Sequence, residues 1–153
     1  MGNQAEASVW WSSAQHPTFT PGDLYRNWDV LIVGGGFSGM WTAHHLLNSS
    51  PDLEIAILEA HEVGSGASGR NGGWASAEYP TSSQRVIKEN GIESYRNLRG
   101  AITSAIDEIG QIAKQHNWQI DYAKGGSLLF ARNLAQLKRI SSAQDDEHKF
   151  LGK

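Results

Sequence analysis

A run of mostly aliphatic residues, Asp29-Val30-Leu31-Ile32-Val33, passes without a break into Gly34-Gly35-Gly36-Phe37-Ser38-Gly39. The first stretch has the continuous β-branched and aliphatic character of a strand buried on both faces in a parallel sheet. Residues at helical spacing follow (Met40, Trp41, Ala43, His44, Leu46 and Leu47), until Asn48-Ser49-Ser50-Pro51-Asp52 ends the helix with turn formers and a proline. Leu53 to Leu58 then reads as a second strand, closing with Glu59. Strand, helix and strand in this order make a β-α-β unit and predict an α/β fold.

The glycines at positions 34, 36 and 39 have the spacing G-x-G-x-x-G, and each has a physical task at a strand-to-helix turn. Gly34 permits the tight turn, Gly36 removes a Cβ so that a pyrophosphate can approach the backbone, and Gly39 lets the helix lie close to the sheet. The first helical turn, with Phe37 and Ser38, then offers free N–H groups and the positive end of the helix dipole to phosphates. Glu59 follows Gly34 at slightly more than the usual interval of about 20 residues. Its carboxylate can accept hydrogen bonds from both ribose hydroxyls of an adenosine. A 2′-phosphate there would meet a like charge, which argues against NADP. Strand, helix, second strand and terminal acid occur together, and that context gives the short motif its specificity.

Beyond the second strand lies a glycine- and serine-rich loop, Val63-Gly64-Ser65-Gly66-Ala67-Ser68-Gly69-Arg70-Asn71-Gly72-Gly73-Trp74. Ile92, Tyr95, Leu98, Ile102, Ala105, Ile106, Ile109 and Ile112 recur at intervals of three and four, predicting one long amphipathic helix over about 91–116. Gly100 and Gly110 weaken or bend it, at about 1 kcal/mol each relative to alanine. Ile120 with Tyr122 fits a short strand, and Ser127 to Ala131 a stronger one after the Gly125-Gly126 turn. Asn133 and Gln136 form a capping box for a last helix that runs on to the C-terminus without a stop signal. The organisation expected is an irregular arm over 1–28, a nucleotide-binding unit with its glycine loop over 29–74, and a helix-strand-helix continuation over 75–153.

Thirteen basic and 16 acidic residues give a formal charge of −3, and neither sign is massed in one stretch. There is no footprint for a nucleic-acid backbone or an anionic membrane. The absence of cysteine excludes disulfides, thiolate catalysis and Cys-ligated metals, and suits a reducing compartment. No export signal is legible, and the stretch Val30 to Ala43 is too short and glycine-rich to span a membrane, so a soluble, cytoplasmic protein is expected. His44 and His45 are adjacent and face different ways, which makes no metal pair. His61 and Glu62 read as solvated loop residues, and Asp145, Asp146, Glu147 and His148 as a solvated helical face. Trp10 and Trp11 are expected to pack on the domain surface.

Three segments, Asp29 to Met40, Ala56 to Ala60 and Val63 to Gly73, resemble the N-terminal FAD-binding region of the D-amino-acid oxidase-like family of FAD-dependent oxidoreductases. The likeness is to the branch that holds glycine oxidase, sarcosine oxidase and gamma-glutamylputrescine oxidoreductase, and Ala67-Ser68-Gly69-Arg70-Asn71-Gly72-Gly73 is its distinguishing part. The resemblance implies a Rossmann-like FAD-binding fold in which Ala67, Ser68, Arg70, Asn71, Gly72 and Gly73 lie near the flavin. On composition alone the same loop could be a surface linker. The implied reaction is oxidation of a small amine or amino acid, with hydride passing from the carbon bearing nitrogen to FAD and hydrolysis of the imine. No catalytic side chain is identified.

The resemblance extends to about residue 145, including Gly125 to Arg132, and members of the family are considerably longer. The chain therefore reads as an N-terminal fragment with an incomplete sheet, expected to be marginally stable and inactive alone. Two other classes fit the residues: an NAD-binding dehydrogenase fragment, and a nucleotide-binding or interaction module without redox activity.

Overall fold

A computed structural model describes residues 8–10, 22 and 25–152. It divides into two compact units, Met1–Trp74 and Ala75–Lys153. Of the arm expected over 1–28, Trp11, Pro17 and Pro21 lie outside the described residues.

In the first unit, β1 (Val30–Val33) leads through the glycine turn into α1 (Phe37–Ser49), and the chain returns to β2 (Ile55–Leu58). The strands are parallel, with Val30 opposite Ile55 and Val33 opposite Leu58. The register is set just before the ladder begins. The Asp29 N–H donates to the Glu54 carbonyl at 3.0 Å, and the Glu54 N–H returns to the Asp29 carboxylate at 2.9 Å. Asp29 thus fixes where pairing starts, and β2 begins two residues later than its apolar pattern suggests. Arg26 adds an ion pair to Glu54 and lies over the Trp28 ring, 4.9 Å from its centre.

β1 departs from the expectation of burial on both faces. Ile32 and Val30 are partly covered, whereas Val33 is 83% exposed and Leu31 54%. Side chains alternate between the faces of a strand, and α1 shields only one of them. The helix end follows the sequence closely: the Ser50 N–H donates to the Leu46 carbonyl at 2.8 Å, and Pro51-Asp52 makes the turn.

The second unit is helical. The long helix expected over about 91–116 is α3 (Ile92–Gln115), and a shorter helix with no counterpart in the sequence expectation, α2 (Ser83–Asn90), precedes it across Gly91 at φ 85°. Ser82 caps α2 by accepting the Arg85 N–H. Val86 of α2 and Tyr95, Ile112 and Ala113 of α3 are the buried apolar residues among those described. α3 ends on Asn117 at φ 53°, with the Trp118 N–H donating to Ala113 and the Asn117 N–H to Lys114. That is the Schellman pattern, with asparagine in the left-handed position.

The two short strands expected after α3 do not form. Asp121 sits at φ 49°, which breaks the extended path between Ile120 and Tyr122. Residues 127–131 pair with no strand among the described residues, and Leu128, Leu129 and Phe130 are exposed. A ladder needs a partner, and apolar pattern alone does not create one. Tyr122 instead turns back onto α3, its hydroxyl donating to the Ile106 carbonyl at 2.8 Å, with its ring where a Cβ of Gly110 would stand.

α4 (Leu134–Leu151) opens as expected, the Gln136 N–H donating to the Asn133 side chain at 2.9 Å. Gln136 reaches back to the Arg132 N–H at 2.6 Å. The helix does have a stop signal: Gly152, left-handed at φ 68°, donates its N–H to His148. The acidic stretch on α4 is not simply a solvated face. Asp146 accepts from Gln84 at 2.6 Å and Glu147 pairs with Arg99 at 2.8 Å, while the Tyr95 and Phe150 rings meet edge to face. These contacts fasten α4 to α2 and α3.

Candidate functional site

The glycine turn is shaped by close approaches that only glycine permits. Gly34 has φ 104°, a left-handed conformation that L side chains rarely adopt. A Cβ on Gly39 would stand 2.0 Å from the Gly34 carbonyl oxygen and 3.3 Å from Ile32, so α1 rests directly on the turn that precedes it. A Cβ on Gly36 would stand 2.9 Å from the Ser68 hydroxyl oxygen. The role expected of Gly36 is room for a pyrophosphate; what the structure shows is that the missing Cβ makes room for Ser68.

Glu59 reaches back from the end of β2 to this turn. One carboxylate oxygen accepts the Gly35 N–H at 2.7 Å and the other the His61 N–H at 3.1 Å. The Gly35 bond first, and the His61 bond second, hold the carboxyl below its ordinary value of 4.5. Glu59 is thus ionised at neutral pH, and each oxygen keeps lone-pair capacity for a further donor. Gly35, the middle glycine that the motif leaves unassigned, is buried and carries the key amide; its missing Cβ lies 3.2 Å from Val63. Its carbonyl accepts the Gly64 N–H at 3.0 Å, and the Gly34 N–H donates to Leu58 at 2.7 Å.

Polar groups of the glycine-rich loop bond both within it and to the start of α1. Ala67–Gly69 forms a single 3-10 turn closed by the Arg70 N–H onto Ala67. The Ser68 hydroxyl accepts the Phe37 N–H at 2.9 Å, so the loop docks on the first residue of α1. Asn71 donates its side-chain amide to the Ser68 carbonyl and accepts the Gly73 N–H at 2.6 Å. Arg70 Nε donates to the Gly66 carbonyl at 3.1 Å. Gly34, Gly36, Phe37, Glu59 and Ser68 are brought into one locus. Arg70, Asn71 and Gly73 organise the loop beside it, and Ala67 and Gly72 are exposed with no side-chain bond to the turn.

No acceptor among the described residues takes the N–H groups of Gly36, Ser38 and Gly39. A helix N-terminus with unpartnered amides, beside an ionised acid and without Cβ atoms at three positions, suits the phosphate and ribose of an adenine dinucleotide. The residues present fit FAD in that respect. His44 and His45 flank Trp41 on α1, at 5.4 and 5.6 Å between ring centres, and His44 bonds to Asn48. Among the described residues no group of three or more His, Cys, Asp or Glu side chains could hold a metal ion. None of the helices described is long and apolar enough to cross a membrane.

Comparison with known proteins places the chain in a family. Residues 29–153 match the family described as FAD dependent oxidoreductase. The chain belongs to that family. It is 32% identical over 122 residues to gamma-glutamylputrescine oxidoreductase of Escherichia coli K12, covering 80% of this chain and 28% of that protein. It is 29% identical over 134 residues to probable oxidoreductase OrdL of Haemophilus influenzae, covering 88% and 30%. It is 40% identical over 55 residues to sarcosine oxidase subunit beta of Rhizobium meliloti, covering 36% and 13%. The chain spans about 30% of the length of the first two relatives. No solved structure matches it significantly.

Proposed function

We propose that the chain grips FAD in an oxidoreductase that oxidises a small amine or amino acid. The observation that carries the reading is the Glu59 carboxylate, 2.7 Å from the Gly35 N–H, aimed at a glycine turn whose next amides are unpartnered. Glu59 would hold the adenosine ribose, and the N–H groups of Gly36, Ser38 and Gly39 the pyrophosphate. Ser68 accepts from Phe37 and so keeps its own O–H to donate to a phosphate or to the ribityl chain. Arg70, Asn71, Gly72 and Gly73, with Ala67, would border the flavin and exclude water from it. When bound, the flavin supplies the electron-pair acceptor for oxidising a carbon–nitrogen bond. The names of the relatives, a putrescine derivative in one and sarcosine in another, support an amine or amino acid as substrate.

The test is the absorption spectrum and the thermal unfolding of the purified protein with FAD or NAD. Oxidised-flavin bands, and protection by FAD rather than NAD, are expected. Protection by NAD alone would move the protein to the dehydrogenases, and a colourless protein protected by neither would leave a binding module. Glu59→Gln should weaken FAD binding by roughly ten- to a hundredfold, the range for a lost hydrogen bond to a charged group.

A further inference from the structure

The glycine-rich loop is held from outside by the N-terminal arm. Ser8, only 8% exposed, donates its hydroxyl to the Gly69 carbonyl. Trp10 donates its indole N–H to the Asn71 carbonyl at 2.7 Å. The same indole lies against Gly73, its Cζ2 3.0 Å from where a Cβ would be, at a backbone φ of 70°. Two residues of the arm thus engage three residues of a loop more than fifty positions away in sequence.

These contacts continue into the cofactor site. Asn71, fixed by Trp10, holds the Ser68 carbonyl through its side-chain amide, and the Ser68 hydroxyl takes the Phe37 N–H at 2.9 Å. A loop this rich in glycine loses more conformational freedom on ordering than any other composition, so it needs external contacts to stay in one shape. We infer that Ser8 and Trp10 are positioning residues for FAD retention: the arm straps the loop so that Ser68 stays seated at the N-terminus of α1. The inference deepens the FAD reading and rests on it for its functional consequence.

The experiment uses the intact protein carrying Trp10→Phe or Ser8→Ala. Two readouts are taken: tryptic cleavage after Arg70, relative to cleavage after Arg26 in the same unit, without FAD; and the rate of flavin release from the loaded protein. Arg26 is tied to Glu54 beside β1, so its cleavage reports unfolding of the sheet rather than loosening of the loop. Each variant should raise cleavage after Arg70 roughly fivefold over the Arg26 reference, the factor that one ordinary hydrogen bond contributes to a local opening, and speed flavin release similarly. Equal acceleration at both sites, or none at either, in both variants overturns the strap. If the parent protein takes up no FAD, the FAD reading falls, while the selective Arg70 cleavage still decides whether the arm holds the loop.

Discussion

Glycines that look alike in the sequence have different tasks, and the atoms nearest each tell them apart. Gly39→Ala drives a Cβ to within 2.0 Å of a backbone oxygen, which no rotamer relieves. It should cost stability at or above the upper end of the roughly 1–3 kcal/mol of overpacking and abolish FAD retention, read by thermal melts and by flavin absorbance after gel filtration. Gly66→Ala, with nothing within 4 Å, should leave both unchanged. Glu59 carries a pH signature. Its folded-state carboxyl is held below 4.5, chiefly by the Gly35 amide, so its contribution to stability is complete above that value and is lost as pH falls through the lowered one. Thermal melts taken from neutral pH into the acid range should show this loss in the parent and not in Glu59→Gln. The G-x-G-x-x-G spacing and the acid at the strand end were legible because each needs only local geometry. The bond from Gly35 to Glu59 and the seating of Ser68 under Gly36 were not, since neither follows from a residue's own neighbours in the chain.

Among the elements, those with local signals were readable and those that depend on distant partners were not. The α1 turn formers and the Asn133 cap act within four residues and are legible there. Asp121 at φ 49° and the unpaired 127–131 segment defeated a strand reading based on apolar pattern, because pairing is a property of two segments. The long helix α3 stands where its three-and-four spacing puts it, whereas the short α2 before it is too brief to show a period, although Ser82 marks its start and Gly91 its end. α3 offers a paired test of what glycine costs inside a helix. Gly100 has open space around it, so Gly100→Ala should stabilise by about 0.5–1 kcal/mol. A Cβ on Gly110 would stand 2.4 Å from the Tyr122 ring, so Gly110→Ala must unseat that ring and its bond to Ile106, and should yield little or no gain. In a Tyr122→Ala background the full gain should return, and denaturant melts of the four variants would show the non-additivity.

For the whole molecule, the apolar surface left open by the first unit is as informative as the surface it covers. Val33 and Leu31 on β1, with Leu128, Leu129 and Phe130 in the second unit, are all more than half exposed. Apolar stretches exposed in this way, each within its own unit, mark surfaces that associate. A polypeptide of these 153 residues alone is expected to bind a hydrophobic dye and to self-associate as its concentration rises, whereas Val33→Thr with Phe130→Ser should reduce both, checked by dye fluorescence and sedimentation. The lifetime of the folded molecule is also written into its loop. Asn71 is followed by glycine, the pairing in which a main-chain nitrogen most readily attacks a side-chain amide to close a succinimide ring. Here the amide is tied at both ends, to Ser68 and to Gly73, and must give up those bonds to swing freely toward that attack. Anything that unties it starts a chemical clock: isoaspartate should accumulate at position 71 on storage of loosened protein and stay rare in protein whose loop is held.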